Sequence, residues 1–215
     1  MRTKICGIRN RDDAQIVVDS GASAIGFLIG TTHLAEDTIS LDLAKSIIFE
    51  LPPFISSVMV THLTDSDEIL EIANYIDVTT IQIHDYVTPA TLKRIFQRKN
   101  NLKIIKAIPV KNLSDALKML ESYEDYCDAI LLDSITDERI GGTGNIHDWN
   151  ISKTLIEKST RPVFLAGGLT PDNVLDAIKI TKPFGVDVNS GVEKDGFKDP
   201  VLTSLFVKNA NLREL

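Results

Sequence analysis

Residues 162–172 read Pro162-Val163-Phe164-Leu165-Ala166-Gly167-Gly168-Leu169-Thr170-Pro171-Asp172. A short apolar run there meets a pair of glycines and then Thr-Pro-Asp, a residue suited to capping a helix followed by proline in the first turn. The stretch is one β/turn/α unit. The next unit follows the same plan, with Gly185-Val186-Asp187-Val188 running into Asn189-Ser190-Gly191 and a helical pattern over Pro200–Asn209. Working outward, the alternation recurs eight times. Strands are predicted over Thr3–Ile8, Ala24–Ile29, Ile55–Thr61, Thr80–His84, Lys103–Ile108, Ala129–Asp133, Pro162–Ala166 and Gly185–Asn189. Helices are predicted over Arg11–Ser20, Leu41–Glu50, Asp65–Tyr75, Pro89–Arg98, Leu113–Tyr123, Trp149–Lys158, Pro171–Ile180 and Pro200–Asn209. Caps are expected at Asp65 and Ser66, at Thr88 before Pro89, and at Thr170 before Pro171.

The strands read as continuously apolar, as expected of a parallel sheet with helices outside and packed side chains inside. Eight units, and no Gly-x-Gly-x-x-Gly turn after the first strand, favour a closed (β/α)8 TIM barrel over a doubly wound open sheet. With 215 residues and no Ser/Gly/Pro-rich linker, one domain spanning 1–215 is expected.

A formal charge of −7 and a pI near 5.1 speak against nucleic acid or a membrane surface as partner, since both are polyanionic. Small molecules are the expected ligands. Two cysteines are too few for a disulfide framework, no secretory signal opens the chain, and no apolar stretch reaches the roughly 20 residues of a membrane span. A soluble protein of the cytoplasm is expected, as monomer or homodimer.

Polar residues stand where the predicted strands end. In a barrel the loops after the strands build the active face, so residues remote in sequence meet there. Cys6 ends the first strand and precedes Gly7; its thiol is a candidate base, or else a small buried hydrophobe like Cys127, which precedes a strand. Asp133 is carried to the edge of a core by Ala129-Ile130-Leu131-Leu132, an environment that raises a carboxyl pKa and suits a general acid. A helix cap is the plainer alternative, weakened because the next helix starts some fifteen residues later. Gly142 lies in the glycine-rich stretch Gly141-Gly142-Thr143-Gly144, a lid or a plain turn. Gly167 and Gly168 after strand seven, with Ser190 and Gly191 after strand eight, occupy the two loops where barrels frequently hold phosphate, although glycines also serve simple tight turns. Asp187 is a candidate for a sugar hydroxyl or a buried structural carboxylate. His33, His62 and His84 fall near the ends of strands two, three and four; three imidazoles can ligate zinc, but no His-x-His pair occurs on strand one, and substrate contact without metal is the expectation. His147 is expected in solvent.

Collected together, these motifs resemble the phosphoribosylanthranilate isomerase family. The matching blocks are Lys4-Ile5-Cys6-Gly7-Ile8, residues 21–27, Ile81-Gln82-Ile83-His84, Ile105-Lys106-Ala107-Ile108, Leu131-Leu132-Asp133, residues 141–144, Asp148-Trp149, residues 165–169, Pro171-Asp172-Asn173-Val174 and residues 185–193. The resemblance implies an Amadori rearrangement in tryptophan biosynthesis with no cofactor. In it Asp133 is the general acid at the ribose ring oxygen, Cys6 the general base at the adjacent sugar carbon, and the glycine loops hold the phosphate.

Two departures bear on substrate. Where the family usually places an arginine for the anthranilate carboxylate, alignment puts Asp37, which would repel it. Strand three ends Thr61-His62 where the family is usually apolar, and strand four ends His84-Asp85 where it usually reads His-Gly. Three readings follow: this isomerase with His33 or His62 replacing the arginine, a related isomerase of another phosphosugar amine, or a barrel that binds a phosphorylated ligand without turnover.

Overall fold

The computed structural model describes residues 1–31, 37–136, 139–140 and 147–212. Eight parallel strands close on themselves: β1 Arg2–Ile5, β2 Ala24–Leu28, β3 Ser56–Thr61, β4 Thr80–Ile83, β5 Lys103–Val110, β6 Ala129–Thr136, β7 Val163–Leu165 and β8 Gly185–Val188. Each pairs with its sequence neighbours, and β8 pairs with β1 in a register that sets Lys4 beside Asp187. The helices α1 Arg11–Asp19, α2 Leu41–Glu50, α3 Ser66–Ile76, α4 Pro89–Arg98, α5 Leu113–Tyr123, α6 Trp149–Lys158, α7 Val174–Thr181 and α8 Pro200–Ala210 alternate with the strands. Two short antiparallel pairings decorate the rim, Arg139–Ile140 against the end of β6 and Glu193–Lys194 against Phe197–Lys198.

Local chemistry explains most helix starts. Asp65 accepts from the N–H groups of Asp67 and Glu68, and Thr88 from that of Thr91 just ahead of Pro89, each satisfying donors that a helix N-terminus leaves open. Thr170-Pro171 departs from expectation. α7 begins only at Val174, because the Asn173 amide is engaged elsewhere: its Oδ1 accepts from Thr170 N–H at 2.8 Å and its Nδ2 donates to Gly168 O at 2.9 Å. The segment is thus spent on bracing the loop after β7.

The strands are not uniformly apolar. Ile5, Ile25, Phe27, Met59, Ile81, Ile83, Ile104, Ile130, Leu132, Leu165 and Val186 face the helices in the main core. Alternate residues face inward. There Cys6, Val58 and Val60 cluster with Ala24 and Leu28, while Ile105, Ala107, Ala129, Leu131 and Ala166 cluster with Phe164. Two apolar patches therefore line β1–β3 and β5–β7. Between them run two polar seams, Gln82 and His84 on and just after β4, and Lys4 with Asp187 on β1 and β8, all buried.

Candidate active site

Charge inside a barrel persists only if it is paired. Lys4 is 1% exposed, and its Nζ donates to both oxygens of Asp187, at 2.9 and 2.8 Å. Burial opposes the Lys4 charge, but Asp187 and Cys6 together outweigh it and hold the ammonium above its ordinary range. Two residues on along the same inward face stands Cys6, whose backbone N–H donates to Val188 O at 2.8 Å. Gly26 makes space for both side chains, since a Cβ there would lie 2.9 Å from Cys6 Sγ and 3.1 Å from Lys4 Cε. Burial raises the Cys6 thiol pKa and Lys4 partly offsets it.

Asp133, on β6, feels the same ion pair. Burial and then the Asp187 charge push its carboxyl up to about 7, against the counter-pull of Ser134 N–H and Lys4. Ser134 N–H donates to its Oδ1 at 2.7 Å, and His84 Nε2 stands 3.7 Å from its Oδ2. A thiol and a carboxyl 127 positions apart in sequence (133 − 6) are thereby coupled through Lys4 and Asp187. One group poised to give a proton and one to take it, in a shared desolvated interior, is a general acid/base pair in the making.

The two glycine loops meet. A Cβ on Gly191 would lie 1.9 Å from Leu169 O, and one on Gly167, at φ +86°, would lie 2.6 Å from Ser134 N. The end of β6 and the loops after β7 and β8 are thus in contact, with the candidate phosphate groups Gly167, Gly168, Ser190 and Gly191 on one rim beside Asp133. Asn189 extends the rim: its Oδ1 accepts from Lys198 Nζ at 2.6 Å and its Nδ2 donates to Asp37 Oδ2 at 2.7 Å. Lys198 also pairs with Glu193 at 2.6 Å. Asp37 is therefore tied to the β8 loop.

His62 and His84 stack, with ring centroids 5.4 Å apart and planes 28° from parallel. Gln82 Nε2 lies 3.2 Å from His84 Nδ1. His33 and Gly142 lie outside the described residues, as does the rest of 141–144. Contrary to expectation, His147 is not in solvent: its Nε2 lies 2.5 Å from Ser152 Oγ, and burial draws the ring down to about 4, which keeps it neutral. Cys127 is fully buried, its thiol pushed up to about 12 by desolvation.

A family model described as N-(5'phosphoribosyl)anthranilate (PRA) isomerase matches residues 3–209. The chain belongs to this family. It is 39% identical over 213 residues to N-(5'-phosphoribosyl)anthranilate isomerase 2 of Methanosarcina mazei, covering 98% of this chain and 94% of the relative. A solved phosphoribosyl anthranilate isomerase in complex with reduced 1-(o-carboxyphenylamino)-1-deoxyribulose 5-phosphate is 36% identical, with a TM-score of 0.83 and 98% of both chains covered. A structure of monomers made from the dimeric isomerase of Thermotoga maritima is 34% identical, also with a TM-score of 0.83 and 98% coverage of each chain. The eight-stranded barrel is thus the family's architecture, and its members act as isomerases of tryptophan biosynthesis.

Within the family frame, Cys6, Asp133 and Asp187 stand together, and the glycine loops adjoin them. Lys4, Gln82 and Lys198 adjoin these groups without having been singled out as candidates from the sequence. A signal existed for Lys4, because a lysine between Thr3 and Ile5 in a strand that is otherwise buried needs a partner inside. Gln82, between Ile81 and Ile83, carries the same signal.

Proposed function

We propose that this chain isomerises N-(5'-phosphoribosyl)anthranilate to the 1-deoxyribulose 5-phosphate product, with Asp133 as acid and Cys6 as base. The observation that carries the proposal is that both groups couple to the one Lys4–Asp187 pair. Asp133 gives its proton to the ribose ring oxygen as the bond from that oxygen to the anomeric carbon breaks, leaving a Schiff base with the amine nitrogen. The Cys6 thiolate then removes the proton from the neighbouring sugar carbon, and the electron pair moves toward the imine to form an enolamine. Tautomerisation moves the enol proton off oxygen and adds one to the former anomeric carbon, giving the ketone. One proton passed from thiol to carboxyl resets the pair, so the step balances with no cofactor. Gly167, Gly168, Ser190 and Gly191 hold the phosphate through backbone N–H groups.

Asp37 supports a second reading, a family member acting on a phosphoribosyl amine without a carboxylate. Its carboxylate is committed to Asn189 Nδ2 and offers nothing attractive to an anion. The test is turnover of phosphoribosylanthranilate by the purified protein, followed by the fluorescence of the anthranilate group. Asp133→Ala and Cys6→Ser should each lose about 10²–10⁴-fold. No turnover of the anthranilate compound, with turnover of a phosphoribosyl derivative of an uncharged aromatic amine, would select the second reading.

We further propose a homodimer in the cytoplasm. Phe49 and Phe54 are almost wholly exposed, and Phe54 holds a left-handed backbone at φ +73°; paired apolar exposure of this kind favours a partner surface. No helix among the described residues is long and apolar enough to cross a membrane.

A further inference from the structure

A neutral His84 carries its proton on one ring nitrogen or the other, and its neighbours bias which. On one side stands Gln82, 1% exposed, with Nε2 at 3.2 Å from Nδ1; on the other stands Asp133 Oδ2, 3.7 Å from Nε2. Two arrangements satisfy the first contact. With the amide as placed, Gln82 Nε2–H donates to Nδ1, and Gln82 Oε1 remains buried without a hydrogen bond. With the amide turned over, Oε1 accepts from Nδ1–H, and the NH2 group points where Oε1 finds no donor. The amide stands in the first arrangement, with Nε2 against Nδ1. The Asp133 side agrees. A ring protonated on Nδ1 would aim the bare Nε2 lone pair at a carboxylate oxygen, whereas a ring protonated on Nε2 aims an N–H at it.

We propose that Gln82 is a positioning residue that fixes His84 as its Nε2–H tautomer, so that this N–H faces Oδ2 of Asp133 and stabilises the carboxylate left when the acid gives up its proton. At 3.7 Å the contact is too long for a hydrogen bond and close enough for charge–dipole attraction in a desolvated interior. Ser134 N–H serves the other oxygen. Other ionisable groups bear on the pair: His62 stacked on the ring, Lys4, Cys6 and Asp187 across the barrel, and Lys106, whose Nζ donates to Ile83 O and Asp85 O on either side of His84. Gln82 keeps the proton off Nδ1 by donating its Nε2–H there. The inference deepens the isomerase reading and rests on it for the role of Asp133.

The test combines two NMR measurements with one kinetic profile. In the wild-type protein the 15N shifts of His84 should report a neutral ring protonated on Nε2. In Gln82→Met, which keeps the chain's bulk and removes its donor, the ring should become a mixture of tautomers, the Asp133 carboxyl 13C titration should move to higher pH, and the acid limb of the pH–rate profile should move with it. A side chain that merely fills space would leave both titrations where they were. Retained amide dispersion establishes that the variant folds. An Nδ1–H ring in the wild type, or an unmoved Asp133 titration in a folded Gln82→Met, overturns the proposal whatever the activity. A wild type that turns over no phosphosugar amine overturns the isomerase reading instead, while the tautomer and the titration still decide the role of Gln82.

Discussion

Lowering the pH through neutrality tests the acid/base pair most directly. Asp133 is pushed up to about 7, and Cys6 lies above the ordinary thiol value of 9.0. The reaction needs the carboxyl protonated and the thiol ionised, the reverse of their order of acidity. Between the two values the pair holds one proton, which sits mostly on sulfur. A separation of two units or more leaves the productive arrangement at no more than about one molecule in a hundred. Its share is constant across that window, because moving the proton within the pair releases none to solvent. Below about 7 both groups are protonated and the share falls, so kcat near pH 6 should be about tenfold below the plateau; above the thiol value it should fall again. The substrate phosphate titrates near about 6, so kcat is to be followed alongside kcat/KM, with the limb centred about one unit higher. Initial rates from the loss of substrate fluorescence between about pH 5.5 and 10 give both curves. A kcat that stays flat from about 5.5 to 8, or a limb centred near 4, would refute an elevated Asp133 as the acid.

The same elevation should destabilise the fold. A carboxyl whose folded pKa is raised from 3.8 to about 7 binds more protons folded than unfolded, so stability is lost as pH rises through that interval and the deficit is complete above it. Asp133→Asn should therefore be more stable than wild type at pH 8, by up to about 4 kcal/mol, with the difference vanishing near pH 3; urea unfolding at both values checks the sign. Gly191→Ala drives a Cβ against Leu169 O, so it should raise KM for the phosphorylated substrate and lower the melting temperature, and an unchanged KM would remove the β8 loop from the phosphate site. Phe54→Asp should convert a dimer to monomers by light scattering, whereas a wild type that is already monomeric would dismiss the exposed phenylalanines as an interface.

The eight-fold alternation was readable because each β/α unit carries its own punctuation. Leu41–Glu50, Pro89–Arg98, Leu113–Tyr123 and Trp149–Lys158 begin and end where periodicity and caps place them. Strand ends were less legible: apolarity continues through Ile8 and Ala166, beyond the last residues of β1 and β7, because burial at the rim does not require ladder pairing. Convergence of Cys6 with Asp133 follows from topology alone once the barrel is recognised. The inward polar seams were legible only in part: Lys4 and Gln82 stand out as polar residues in buried strands, and Gln82 shares a face with His84 two residues on, but the pairing of Lys4 with Asp187 is fixed only by the register of β1 against β8. Asn173 illustrates a second limit. Thr170-Pro171 looks like a cap, and only the tertiary need to brace Gly168 decides that it is not. Asp37 is a third case, where a residue suspected of repelling a carboxylate turns out to be tethered through Asn189 to Lys198.

Because inward and outward side chains take turns along every strand, adhesion to the helical coat and the reactive interior are encoded in interleaved letters of the same short words. Ile5 belongs to one text and Lys4 and Cys6 to the other; Ile81 and Ile83 flank Gln82 in the same fashion. Evolution can therefore rewrite what the barrel does to a sugar by editing alternate positions while the neighbours that hold the wall to its helices stay untouched.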